Sequence, residues 1–236
     1  MSIAENIAVI REKMNQAAIA AGRDPKSIQL CAATKMNDAD TVRQAIAGGV
    51  DLCGENKVQE LTQKLSENAY EGAPVHFIGH LQTNKVKFVV GNVDLIQSVD
   101  SLRLLAAIDK EAAKQGIRQD VLLEVNVGGE ESKSGFTTQE IRELMEHFED
   151  FPNVFLRGLM AIPPICEIPG GNDKFFIEMY HLCVDIKAKK SDNVCVDTLS
   201  MGMSDDFADA IRCGSTMIRV GTAIFGQRNY NKPHQY

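Results

Sequence analysis

The sequence predicts an α/β fold, a (β/α)8 TIM barrel with one extra N-terminal helix. Three observations carry this expectation. Eight short apolar runs alternate with stretches of helical periodicity, the pattern of a parallel sheet covered on both faces. Eight such units suit a closed ring, whereas open sheets usually have fewer strands. Polar and glycine residues gather just past the runs, where a barrel carries its chemistry. An open doubly wound sheet shares the alternation and stays the alternative at this point. The 236 residues contain no linker-like stretch, so 1–236 reads as one domain.

The elements follow in order. Ser2 to Gly22 reads as an amphipathic helix, with Ser2 and Glu5 at capping-box spacing and Ile3, Ile7, Ile10, Met14 and Ala18 at helical intervals. The strands fall at 28–33, 51–53, 75–78, 95–98, 121–127, 154–160, 198–201 and 217–220. Helices are expected at 38–47, 56–65, 84–90, 101–115, 138–148, 173–189 and 205–213. Pro163–Asp173, rich in Pro and Gly, is one long loop after strand six, and the tail closes the chain with no further strand.

Composition removes several function classes. A net charge of −7 argues against a protein that coats nucleic acid. With 6% aromatics and no Trp, a base-stacking surface is not expected either. The N-terminus has no signal-peptide pattern and no apolar run approaches a membrane span, so the expectation is a cytoplasmic protein without membrane partners. Six cysteines form no C-x-x-C pair; Cys31, Cys53, Cys183 and Cys195 sit among apolar neighbours and read as small core residues.

Among the strand-end residues, Lys35 follows the apolar run Leu30–Ala33. Desolvation there would favour the neutral amine that attacks a carbonyl; a solvated lysine at a strand end is the other reading. Ser200-Met-Gly-Met-Ser204 runs into a helix start, and Arg219-Val-Gly-Thr222 follows strand eight. Loops after strands seven and eight are the usual phosphate site of a barrel, so a small phosphorylated ligand is expected. Arg219, between Ile218 and Val220, alternates inward and needs a ligand or an ion pair such as Glu124. His76 and His80 find no third metal ligand. Asn56, Gln59 and Asn84 either line a polar pocket or, for the two asparagines, cap helices.

The chain resembles the pyridoxal-phosphate homeostasis protein family, small barrel proteins related to the alanine racemase N-terminal domain. The resemblance spans nearly the whole chain. It rests on Ala33-Thr-Lys35, Gly54-Glu-Asn-Lys-Val-Gln-Glu60, His76-Phe-Ile-Gly-His-Leu-Gln-Thr-Asn-Lys85, Ser98-Val-Asp100, Val125-Asn126, Gly158-Leu-Met160, Leu199–Ser204 and Arg219–Thr222. It implies an alanine-racemase N-terminal-domain-like barrel that holds pyridoxal 5′-phosphate as a Schiff base on Lys35. Ser204, Gly221 and Thr222 would take the phosphate and Arg219 would face the pyridine nitrogen. Asn56 would lie near the ring, with Ser200 and Met201 lining the phosphate side. The family is regarded as cofactor-binding, acting in supply or buffering of the cofactor, with no established reaction. Met36-Asn37-Asp38 departs from the family, whose members often carry a second Lys or a Pro there.

An Arg beside the pyridine nitrogen disfavours its protonation and weakens the ring as an electron sink. Racemisation would also need a proton donor opposite the lysine, and none of Tyr70, Tyr180, Tyr230 and Tyr236 directly follows a strand. Related racemases take that Tyr from a second domain, for which this chain has no room. The expectation is a carrier or buffer, a monomer, with apo pyridoxal-phosphate enzymes as recipients. A weak amino-acid racemase is the alternative, and a class I aldolase-type barrel ranks third.

Overall fold

The computed structural model describes residues 1–130, 132–166, 168–189 and 191–226. The expected tail, with Tyr230 and Tyr236, lies outside them. The first helix, α1 (Ile3–Ala20), starts on the anticipated capping box: Ser2 Oγ accepts from the Glu5 amide and Glu5 accepts from the Ser2 amide. Its buried stripe is Ile7, Ile10, Met14 and Ala18. There follow β1 (Gln29–Ala33), α2 (Ala39–Ala47), β2 (Leu52–Glu55), α3 (Val58–Ser66), β3 (Val75–Phe77), β4 (Leu95–Val99), α4 (Leu102–Gln115) and β5 (Gln119–Val125). Then come α5 (Thr138–Leu144), β6 (Val154–Ala161), α6 (Asp173–Lys187), β7 (Val194–Ser200), α7 (Phe207–Arg212), β8 (Met217–Val220) and α8 (Thr222–Phe225).

The strands are parallel in sequence order and β8 pairs with β1, with Gln29 opposite Met217 and Cys31 opposite Arg219. That pairing closes the barrel and removes the open sheet. Alternation then sorts the side chains. Leu30, Ala32, Ile218 and Val220 face outward and pack with α1, Phe207, Ile211 and Ile224, so α1 covers the seam where the barrel closes. Asn6 bonds the Ile224 carbonyl at 2.8 Å and Arg23 bonds the carbonyls of Ile211 and Ser215, both at 2.7 Å. Inside, Cys31, Leu52 and Met217 form one apolar group and Leu95, Leu122 and Met160 another.

Several elements differ from the sequence reading. β7 begins at Val194, not 198: its first half alternates exposed Cys195 and Asp197 with buried Val196, which hides it from a search for an apolar run. Cys195 is therefore no core residue, and Cys183 is only half-buried. β5 is shifted two residues earlier, because buried Gln119 begins it by bonding Gly91 and Val93, while Asn126 already ties the following loop at Glu130 and Lys133. The expected helix at 84–90 is a 3-10 helix, Thr83–Phe88. α5 stops at Leu144, with a separate turn at Phe148–Asp150, and α7 starts two residues late. The short α8 was not anticipated. β6 carries a register shift at Gly158, whose φ is +147° and where a Cβ would sit 1.8 Å from the Thr198 carbonyl oxygen; only glycine fits there.

Candidate site at the barrel mouth

Lys35, Asn56, Ser204, Gly221 and Thr222 lie past the C-terminal ends of strands, Ser200 and Arg219 lie near the ends of β7 and β8, and Gln59 and Asn84 are exposed on α3 and the 3-10 helix. Lys35 is in the turn after β1, half-buried. Register places Gly221 beside Ala33, and a Cβ on Gly221 would lie 3.4 Å from the Ala33 Cβ. The Lys35 turn and the start of α8 are thus neighbours across the seam. Gly221 is the residue before α8, and its carbonyl accepts from Ile224 and Phe225. Ser204, in the loop after β7, accepts from the Ala223 amide at 3.5 Å, which draws that hydroxyl to the first turn of α8 and to Thr222. The loop holds its shape because Asp206 accepts from the Met203 amide at 2.7 Å.

On the next strand, Asn56 follows β2. It caps no helix: α3 starts from Lys57 with no side-chain cap. Its carbonyl packs directly on Gly79, where a Cβ would sit 2.1 Å from the Asn56 oxygen. The Asn56 Oδ1 is buried and finds no hydrogen-bond partner among the described residues. A buried acceptor of this kind is costly unless a donor reaches it.

Below the mouth a polar chain crosses the barrel. Arg219 donates to Ser200 Oγ at 2.6 Å and to the Ala161 carbonyl at 2.9 Å. Ser200 donates to Gln97 Oε1 at 2.6 Å, and the Gln97 amide nitrogen meets His76 Nδ1 at 2.9 Å. Since Gln97 uses its oxygen for Ser200, its NH2 donates to His76, and the imidazole proton belongs on Nε2. Burial pushes His76 down to about 4, so it is neutral. Arg219 is 5% exposed and bonds neutral oxygens rather than forming the ion pair with Glu124 allowed by the sequence. Burial pulls its pKa below the guanidinium range. Glu124 shares the inward parity of Leu122. Burial, reinforced by Asp100 and opposed by Arg219, pushes its carboxyl up to about 7.

Met201 is fully buried in the layer outside the barrel, so its backbone is what it offers the mouth. His80 does not join His76. It stands exposed at the rim, its Nδ1 3.0 Å from Asp100. Among the described residues no cluster could hold a metal ion. A cavity of about 650 Å³ between α4 and α5, lined by Ser101, Phe136, Glu140 and His147 among others, lies outside the barrel and away from Lys35. Sequence reading missed Gln97, a polar residue at an inward position of an apolar strand, and missed Glu60 and Lys64, which look like an ordinary surface pair on a helix.

Known proteins share this architecture. A family model described as the N-terminal domain of alanine racemase matches residues 2–229. The chain belongs to that family. Within it, a pyridoxal phosphate homeostasis protein of Aquifex aeolicus (strain VF5) is 40% identical over 230 residues, 98% of this chain and 100% of the relative. The pyridoxal phosphate homeostasis protein of Escherichia coli (strain K12) is 39% identical over 234 residues, 98% of each chain. The solved structure of PipY from Synechococcus elongatus PCC7942 with PLP bound aligns with a TM-score of 0.81 at 30% identity, over 95% of this chain and 100% of that one. The resemblance read from the motifs is thereby shown: the chain is a pyridoxal phosphate homeostasis family member. Among the described residues no helix is long and apolar enough to cross a membrane.

Proposed function

We propose that this chain binds pyridoxal 5′-phosphate as a Schiff base on Lys35 and acts in intracellular cofactor homeostasis, as a carrier or buffer rather than a catalyst. The observation that carries it is the meeting of three features at the seam: the Lys35 turn, inward-facing Arg219, and the Ser204–Gly221–Thr222 corner. The residues fit the group. The hydroxyls of Ser204 and Thr222 and the first amides of α8 supply phosphate donors. Asn56 would lie near the ring, with Ser200 and Met201 on the phosphate side, Met201 through its backbone. Lys35 would hold the cofactor through its amine, and pyridoxal phosphate would supply the aldehyde with which that amine condenses, releasing water.

Bound pyridoxal phosphate supplies an electron sink whose strength depends on protonation of its ring nitrogen. Arg219 spends two of its five N–H groups on Ser200 and Ala161. Arg219 would face the ring nitrogen with those that remain, and a fixed cation there would oppose its protonation. That favours holding over catalysis. The reading takes 1–236 as one binding domain, a cytoplasmic monomer that meets neither nucleic acid nor membrane, with apo pyridoxal-phosphate enzymes as recipients.

The test is the near-visible absorbance of the purified protein before and after borohydride, beside Lys35→Ala. A yellow band bleached by borohydride, with the adduct on Lys35 and absent from the variant, is expected. A protein that stays colourless and unlabelled with added pyridoxal phosphate removes the reading. Lys35-dependent solvent deuterium at Cα of an added amino acid would replace the carrier by a weak racemase.

A further inference from the structure

α3 turns two charged side chains, Glu60 and Lys64, into a place almost without water: they are 7% and 6% exposed, their heads 3.8 Å apart. Buried charges are expensive, and an apolar pair of the same volume often stabilises a fold more. What these charges touch is informative. Lys64 Nζ donates to the Thr34 carbonyl at 2.8 Å. Glu60 Oε2 accepts from the Met36 amide at 2.6 Å. Thr34 and Met36 are the residues on either side of Lys35, so one helix holds both flanking residues by their backbones. Glu55, 0% exposed, completes the arrangement by pairing with Lys64 and accepting from Thr34 Oγ1 at 2.5 Å. Between them the backbone bends unusually: Met36 has φ +63°, a conformation that residues with a side chain rarely adopt. Its side chain is 36% exposed, so burial of that side chain is not what holds the bend.

We infer that Glu60 and Lys64 of α3, backed by Glu55, form a positioning clamp that fixes the backbone on both sides of Lys35 and so sets where its amine enters the barrel mouth. The inference rests on the Schiff-base reading of Lys35. Without Glu60 the Met36 amide is released and the bend relaxes toward ordinary φ. Only a fraction of molecules then present Lys35 correctly, and apparent affinity falls by that fraction.

Glu60→Met tests this. It keeps the volume, removes the acceptor, and leaves Lys64 paired with Glu55. The half-saturating pyridoxal phosphate concentration, read from the near-visible band well below Tm, is expected to rise about ten-fold, as for a competent fraction near one tenth. Glu60→Gln retains an acceptor for the Met36 amide and is expected to stay within about three-fold of wild type. In the cofactor-free protein, hydrogen exchange at the Met36 amide should accelerate in Glu60→Met only. A merely structural role would lower Tm and leave half-saturation unchanged. Should Glu60→Met not fold, Glu60→Asp, one methylene too short, is read in the same way. A wild-type protein that forms the band, with half-saturation unmoved in these variants, overturns the clamp and leaves the Lys35 reading standing. A wild-type protein with no band overturns both.

Discussion

Glu124 is the group whose replacement should change stability most informatively. Its carboxyl is raised from an ordinary 4.5 to about 7 by burial and by Asp100, against the pull of Arg219. Between those values the folded protein holds a proton that the unfolded chain has released. This group's contribution therefore favours the fold at low pH and is lost as pH rises through about 7. At full weight the shift corresponds to about 3 kcal/mol. Because Glu124 is not wholly enclosed, screening reduces this to ~1–2 kcal/mol. Glu124→Gln removes the ionisation and keeps the shape. In cofactor-free protein, urea unfolding of the variant should show a gain of about 1–2 kcal/mol over wild type at pH 8 and little change at pH 5. A variant equally displaced at both pH values, or destabilised at pH 8, would refute the argument from burial. His76 runs the other way. Depressed from 6.5 to about 4, it contributes stability that is present above 6.5 and lost as pH falls. The two groups offset each other in wild type, so Glu124→Gln should also expose a steeper loss on acidification.

Ser200→Ala should cost about 3 kcal/mol, because it strips Arg219 of a charge-assisted bond and leaves Gln97 Oε1 buried without a donor; denaturant titration reads this, and a loss under about 1 kcal/mol would mean the chain had rearranged. For His76, nitrogen NMR should show a neutral ring protonated on Nε2 that does not titrate from pH 8 down to pH 5. A shift change centred near 6.5 would contradict its burial.

The fold was legible where each residue obeyed a local rule. Strand eight, 217–220, matches because Met217–Val220 is a short apolar run with one inward charge, and α1 because its cap and stripe agree. Strand seven was half hidden, since its lower part passes Cys195 and Asp197 through solvent. The site was legible at strand ends, where polar residues interrupt apolar runs. The supports beneath it were not. Glu60 and Lys64 at i,i+4 have the spacing of a solvated surface pair, and only the packing of α3 on β2 and the Lys35 turn reveals them as buried. Likewise the sequence marks Ser200 as a candidate pocket lining but not the bonds of its hydroxyl to Arg219 and to Gln97, 103 residues away.

The closing seam bears on how the protein is made. Lys35 follows β1 while Arg219, Gly221 and Thr222 belong to β8 and the start of α8, and 218 residues separate Asn6 from its partner Ile224. At about 5–20 residues per second of synthesis, α1 and the free edge of β1 wait roughly 10–40 s for their partners. Through that interval an unpaired strand edge and an apolar helix face stand open to aggregation. The proposed site would be assembled only when the last strand docks on the first, so capture of pyridoxal phosphate should report completed closure of the ring.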